Sequence, residues 1–150
     1  MSFFFNQEQI SLESINIRNK NTMCEWLGIE FCELGEDYLI AKMPADHRTI
    51  QPLGVVNGGA FCALAETVGS MAANLCLDRT KFVALGLDIN ANHLKSVNQG
   101  WVYGTAKSFH IGKSTQVWEI KITNNKQQLC CICRLTIAVV PITTNEKSKD

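Results

Sequence analysis

The sequence has no net charge: fourteen Lys and Arg are balanced by fourteen Asp and Glu over 150 residues. Without an overall field the chain has no general means of holding a nucleic-acid backbone or an anionic membrane, so neither partner is expected. The opening residues, Met1 to Glu8, lack a basic stretch, and the run Phe3-Phe4-Phe5 is too short for an export signal. The chain also lacks a clean apolar run of membrane-spanning length. The nearest, Gly58 to Leu77, carries Glu66, Ser70, Asn74 and three glycines, and reads as a buried helix. The seven cysteines include no CxxC pair. Cys130, Cys131 and Cys133 crowd together, but no closing His or Cys pair follows, so no metal site is expected. Their odd number and apolar neighbours (Phe61-Cys62-Ala63, Leu75-Cys76-Leu77) suit reduced thiols in a cytoplasmic protein. Proline is scarce, and its three residues, Pro44, Pro52 and Pro141, punctuate the chain at element ends and in a loop. With no repeat, linker or low-complexity stretch, residues 1–150 read as one domain, its core at 29–140 and residues 142–150 a mobile polar tail.

What is present is enough apolar residue, 46% against 19% charged, for a core. Leu12, Ile15 and Asn19 share a face of a short helix. Thr22 is placed to N-cap a further turn through Trp26, which Gly28 ends. Residues 29–43 read as extended chain, broken near Gly35-Glu36-Asp37 and ended by Pro44. After the loop 45–57 comes the long helix. Four strands follow: Phe82–His93, Gly100–Phe109, Ser114–Thr123 and Gln128–Val140. In the first, Val83, Leu85, Leu87 and Ile89 fall on one face by alternation. Asn124-Asn125-Lys126 is expected to turn through the positive φ that Asn tolerates. One long apolar helix beside an antiparallel sheet is an α+β layout. A helix apolar nearly all round must be covered by the sheet and by more besides.

The residues that carry chemistry run from His47 into the helix: Arg48-Thr49-Ile50-Gln51-Pro52-Leu53-Gly54-Val55-Val56-Asn57-Gly58-Gly59-Ala60, then Leu64-Ala65-Glu66. Glycines at a loop-to-helix junction leave N–H groups uncovered at the positive end of the helix dipole, suited to a polarised carbonyl oxygen. Glu66 is the one carboxylate between Gly58 and Leu77, and a carboxylate in such surroundings needs partners or a job. Cys62, Glu66, Ser70 and Asn74, spaced by four, make a polar stripe. Each signal has a bland reading too: a tight turn, a satisfied structural Glu, a solvated Gln51.

Together these residues resemble the PaaI-type hotdog thioesterases, in which a long central helix is wrapped by an antiparallel sheet. The similarity continues through Gly86-Leu87-Asp88-Ile89-Asn90-Ala91-Asn92-His93, Gly112-Lys113-Ser114-Thr115-Gln116-Val117-Trp118 and Leu129-Cys130-Cys131, and spans about 29–140. Those stretches are most similar to members acting on 1,4-dihydroxy-2-naphthoyl-CoA in menaquinone synthesis, and to relatives that clear mischarged aryl carrier protein. The resemblance implies an acyl-CoA substrate, with coenzyme A present only as part of it, and no other cofactor. It implies that Glu66 acts as nucleophile or general base, that the Gly58 N–H polarises the thioester carbonyl, that Gln51 orients the acyl group, and that Ser70 helps hold the attacking water. His93 falls near the acyl pocket, and Ser114 and Thr115 where the family contacts the CoA arm. One departure stands out: the family's His before Gly-Gly is Asn57 here, which can donate a hydrogen bond but cannot carry a proton. Two other readings stay open, a hotdog hydratase or dehydratase and a non-catalytic acyl-CoA binding module. Helix geometry adds an expectation of its own. Gly58 and Glu66, eight residues apart, are separated by about 12 Å along the axis. One thioester is therefore expected to meet these two groups from different subunits of a homodimer, and the dimers are expected to pair again as a homotetramer.

Overall fold

The computed structural model describes residues 4–6 and 9–143. Its elements are α1 (Leu12–Ile17), α2 (Met23–Trp26), β1 (Glu30–Leu34), β2 (Tyr38–Pro44), α3 (Gly58–Leu75), β3 (Phe82–His93), β4 (Trp101–Ile111), β5 (Thr115–Asn124) and β6 (Leu129–Pro141). The six strands form one antiparallel sheet in the order β1-β2-β4-β5-β6-β3. Its concave face wraps α3, the hotdog arrangement. Alternation explains the fit: Leu39, Ala41 and Met43 of β2, and Gln116, Trp118, Ile120 and Ile122 of β5, are buried at every second position. From α3, Phe61, Leu64, Ala65, Val68 and Ala72 enter this core. The opposite side of α3 (Ala63, Glu66, Thr67, Ser70, Met71) is only half-buried, since no element among the described residues closes over it fully.

The core reaches further toward the N-terminus than 29–140. Phe4 and Ile15 are buried within it, and the Asn16 side chain both donates to Phe31 O at 2.9 Å and accepts from Phe31 N at 2.8 Å, joining α1 to β1. At the other end the Ile142 N–H donates to Lys81 O at 2.8 Å; residues 144–150 of the expected mobile tail lie outside the described residues. Among the described residues no helix is long and apolar enough to cross a membrane.

Four local expectations are corrected. Thr22 occupies the N-cap of α2, but its hydroxyl donates to Asn19 O at 2.6 Å and caps nothing. Ser114 precedes β5 and belongs to the β4–β5 turn. In the 124–128 turn the positive φ falls on Gln127 (58°); Asn124 contributes through its side-chain oxygen, which accepts from the N–H groups of Lys126 and Gln128 at 2.9 and 3.0 Å. The simple alternation of β3 fails because a β-bulge falls between Gly86 and Asp88, leaving Leu87 outside the ladder. One extra residue reverses the phase. Ala84 faces the helix before the bulge, Ile89 and Ala91 after it, while Leu85 and Leu87 stay exposed.

Candidate active site

The loop before α3 is a braced scaffold. Arg48 pairs with Asp46 through Nη2 to Oδ2 at 2.6 Å and Nε to Oδ1 at 3.0 Å, and holds the Asp46 carboxyl at a pKa of about 2, below its ordinary 3.8. Thr49 is buried and donates its hydroxyl to Pro44 O at 2.5 Å. Its carbonyl accepts the Asn57 N–H at 2.8 Å, and Val56 N–H reaches Val97 O at 2.8 Å. Gly54 takes a φ of +78° in the tight turn between Gln51 and Val55. The Arg48-Thr49 part of the motif thus fixes where α3 begins.

Asn57 is the N-cap of α3. Its Oδ1 accepts the Gly59 N–H at 2.7 Å, and its backbone carbonyl takes the N–H groups of Ala60 and Phe61 at 2.9 and 3.1 Å. The first-turn donor left over is the Gly58 N–H, which has no acceptor among the described residues. It stands at the positive end of an 18-residue helix. A side chain at 58 would meet His93 Nε2 at 3.0 Å, so the imidazole lies directly beside this donor. Gln51, Gly58, Phe61, His93, Leu94 and Lys95 are among the residues lining a cleft of about 330 Å³ here. The Gln51 side-chain oxygen accepts the Leu53 N–H at 2.5 Å.

Glu66 opens elsewhere. With Cys24, Thr67, Ser70, Met71 and Asn74 it lines a separate cleft of about 400 Å³. The Ser70 hydroxyl donates to Glu66 Oε1 at 3.0 Å, one helical turn away. On the other side the carboxylate lies against the backbone of β3 at Gly86, where any Cβ would collide with Oε1. Gly86 and the bulge after it therefore form a seat for Glu66, which alternation along β3 concealed; a glycine inside a strand pattern was the available signal. Asn74, the last member of the polar stripe, is structural: it donates to Ala84 O at 3.2 Å and accepts from Ala84 N at 3.0 Å.

The structure thus gathers Gln51, Asn57, Gly58 and His93 at one end of α3 and Glu66 with Ser70 at its middle. Thr115 pairs with Ala138 and His93 with Cys131, so Ser114 and Thr115 sit at the end of the sheet opposite His93. One contact was not foreseen: Cys131 Sγ lies 3.5 Å from His93 Nδ1.

A sheet-wrapped helix whose N-terminus presents a free donor, with a carboxylate two turns on, defines a class: hotdog proteins built to handle activated acyl groups. The chain matches the thioesterase superfamily over residues 53–131 and belongs to it. It is 44% identical over 134 residues to the 1,4-dihydroxy-2-naphthoyl-CoA hydrolase of Escherichia coli, covering 89% of this chain and 98% of the relative. To the proofreading thioesterase EntH of Cronobacter turicensis it is 43% identical over 134 residues, covering 89% and 97%. The crystal structure of a mutant thioesterase from Pseudomonas aeruginosa matches with a TM-score of 0.91 at 40% identity, over 94% of this chain and 100% of that one. The protein is a thioester hydrolase.

Proposed function

We propose that the protein hydrolyses an aromatic acyl-CoA thioester, with 1,4-dihydroxy-2-naphthoyl-CoA of menaquinone synthesis as the first candidate, in the cytoplasm and as a homodimer able to pair into a tetramer. The observation that carries this reading is the separation of the two clefts. The free Gly58 N–H and the Glu66 carboxylate open on different cavities of one chain, about 12 Å apart along the helix. A second copy brings them together. β3 is the last strand of the sheet, twelve residues long, with Leu85 and Leu87 exposed. An unpaired edge of that length invites a partner strand. Antiparallel pairing there sets two α3 helices side by side, each Glu66 facing the other chain's Gly58, and yields two equal sites.

In such a site the Gly58 N–H and the helix dipole polarise the thioester carbonyl. Gln51 orients the acyl group, Asn57 caps the helix so that Gly58 stays free, and His93 borders the acyl pocket. Glu66, held by the Ser70 hydroxyl, takes a proton from water as its oxygen bonds to the carbonyl carbon, or attacks that carbon directly and is released by water. The carbon–sulfur bond breaks, and the departing thiolate takes up the proton. Ser114 and Thr115 contact the CoA arm. The reaction needs no resident cofactor. A non-catalytic acyl-CoA binding module is the second reading, favoured by Asn57 in place of a proton-carrying His.

The test is thiol release from 1,4-dihydroxy-2-naphthoyl-CoA, benzoyl-CoA and straight-chain acyl-CoAs, with Glu66→Ala as the control. The expected result is release from the aromatic thioesters that Glu66→Ala abolishes. Preference for straight chains overturns the substrate class. No release from any of them favours the binding module.

A further inference from the structure

Behind the Gly58 cleft lies a row of polar atoms that the hydrolysis described above does not use. Cys133 Sγ is 3.6 Å from Cys131 Sγ, and Cys131 Sγ is 3.5 Å from His93 Nδ1. The other ring nitrogen, Nε2, is the atom that a Cβ at Gly58 would meet at 3.0 Å. Phe61 flanks the imidazole, with ring centroids 5.7 Å apart and planes 33° from parallel. Cys131 and Cys133 are buried. The row therefore runs from the core face of β6, through the imidazole, to the first donor of α3.

The Cys131 neighbour and burial push the Cys133 thiol upward, so Cys133 keeps its proton beside the Cys131 sulfur. The Cys133 thiol beside it holds the Cys131 thiol below its ordinary range. Cys131 Sγ faces His93 Nδ1, and the tautomer of the ring decides which of the two donates. A neutral imidazole that accepts at Nδ1 carries its proton on Nε2. Among the described residues, the titratable groups near this row are Cys131 and Cys133 on β6, Cys62 on α3, which faces those two thiols, and Lys95 after β3, which lines the same cleft as His93. None of the residues lining the cleft is a carboxylate that would draw a proton to Nδ1.

We propose that Cys131 is a positioning residue: its thiol donates to His93 Nδ1 and fixes the imidazole as the Nε2–H tautomer, a donor aimed into the cleft beside Gly58. An acyl group seated there meets two donors, the Gly58 N–H and His93 Nε2–H, and the ring selects acyl groups that present a second acceptor oxygen, such as a ring hydroxyl. The effect on rate rests on the thioesterase reading of the site; the tautomer does not.

The experiment is nitrogen NMR of protein labelled at histidine, with the His93 signals assigned by His93→Gln. In the unaltered protein His93 is expected as one Nε2–H tautomer. Cys131→Ala should give a mixture, and Cys131→Ser, which keeps a donor, should restore the single form. Turnover of the preferred acyl-CoA should fall about fivefold to tenfold in Cys131→Ala, roughly what one net hydrogen bond contributes. That loss should vanish in the His93→Gln background, because coupled residues are not additive. An Nδ1–H tautomer in the unaltered protein overturns the proposal without any variant. So does an unchanged tautomer in folded Cys131→Ala, or an equal loss of turnover in both backgrounds. If Glu66→Gln leaves turnover intact, the catalytic reading fails while the tautomer measurement still decides this one.

Discussion

The first turn of α3 and its third turn belong to one helix and face opposite problems. At the first turn backbone donors exceed acceptors. Asn57 satisfies all but one of the early N–H groups, and a glycine leaves the last, Gly58, open to a ligand. At the third turn a carboxylate must survive beside an apolar core, and Ser70 and the gap at Gly86 make room for it. The first region is shaped by what the backbone lacks, the second by what a side chain needs. The two regions open on different clefts, about 12 Å apart along the helix axis, and under the proposed reading each is half of a site.

The sharpest way to test this division is to disable each region separately. Glu66→Gln should lower turnover at least ~100-fold, the usual worth of a positioned acid or base, while the thermal melting curve barely moves, since Gln can still accept from Ser70. Gly58→Pro should cost about 100-fold or more through loss of the oxyanion donor. The helix should tolerate it: proline suits the first helical position, and Asn57 already has the extended backbone, ψ 137°, that precedes proline. Crowding of His93 is the one clash expected. Steady-state thiol release measures both.

If the regions meet only across a dimer, mixing Glu66→Ala and Gly58→Pro subunits should restore activity. Random exchange makes half the dimers mixed, each with one intact site, so recovery should approach about a quarter of normal. No recovery in a mixture shown to exchange subunits would place both groups of a site in one chain.

A smaller change separates donor from capping at the first turn. Asn57→His should alter turnover by less than ~10-fold if only a hydrogen bond is wanted at that position. It should lower stability by about 1 kcal/mol as the cap to Gly59 is lost. A rise in turnover with a new inflection near pH 6.5 would instead show that a proton carrier was missing.

The smallest effect concerns the loop. The folded pKa of Asp46, about 2, lies below the ordinary 3.8. Its ionised form therefore adds stability that is fully present above about pH 4 and lost as pH falls toward 2. Asp46→Asn should flatten the stability profile in that window and lower stability by a constant amount above about pH 4, where the lost contribution was fully present, as followed by denaturant unfolding.

Much of this architecture was readable along the chain. Period-two burial in β2 and β5, the glycine that ends α2, the break at 35–37 and the long helix all follow from local pattern, and local pattern reports which face an isolated element prefers. β3 shows where such reading stops. Its bulge shifts the phase by one residue; Gly86 signals an irregularity, but not which residue the neighbouring strand will leave unpaired. The register with β6 decides that. The same holds for His93, a strand-end histidine in sequence, which the sheet carries next to Gly58 and Cys131, 35 residues before it and 38 after.

The sequence by itself determined the elements and the chemical groups: a glycine at a helix start, a carboxylate two turns on, and one long helix between strands along the chain. These depend on spacings of a few residues, where backbone geometry is the controlling force. Only the tertiary structure decided that Gly86 seats Glu66, that Asn57 spends its oxygen on the cap, and that Glu66 and Gly58 open on separate clefts. Those outcomes depend on how sheet curvature, strand register and helix placement bring distant residues within a few ångströms, and packing of the whole core sets all three at once.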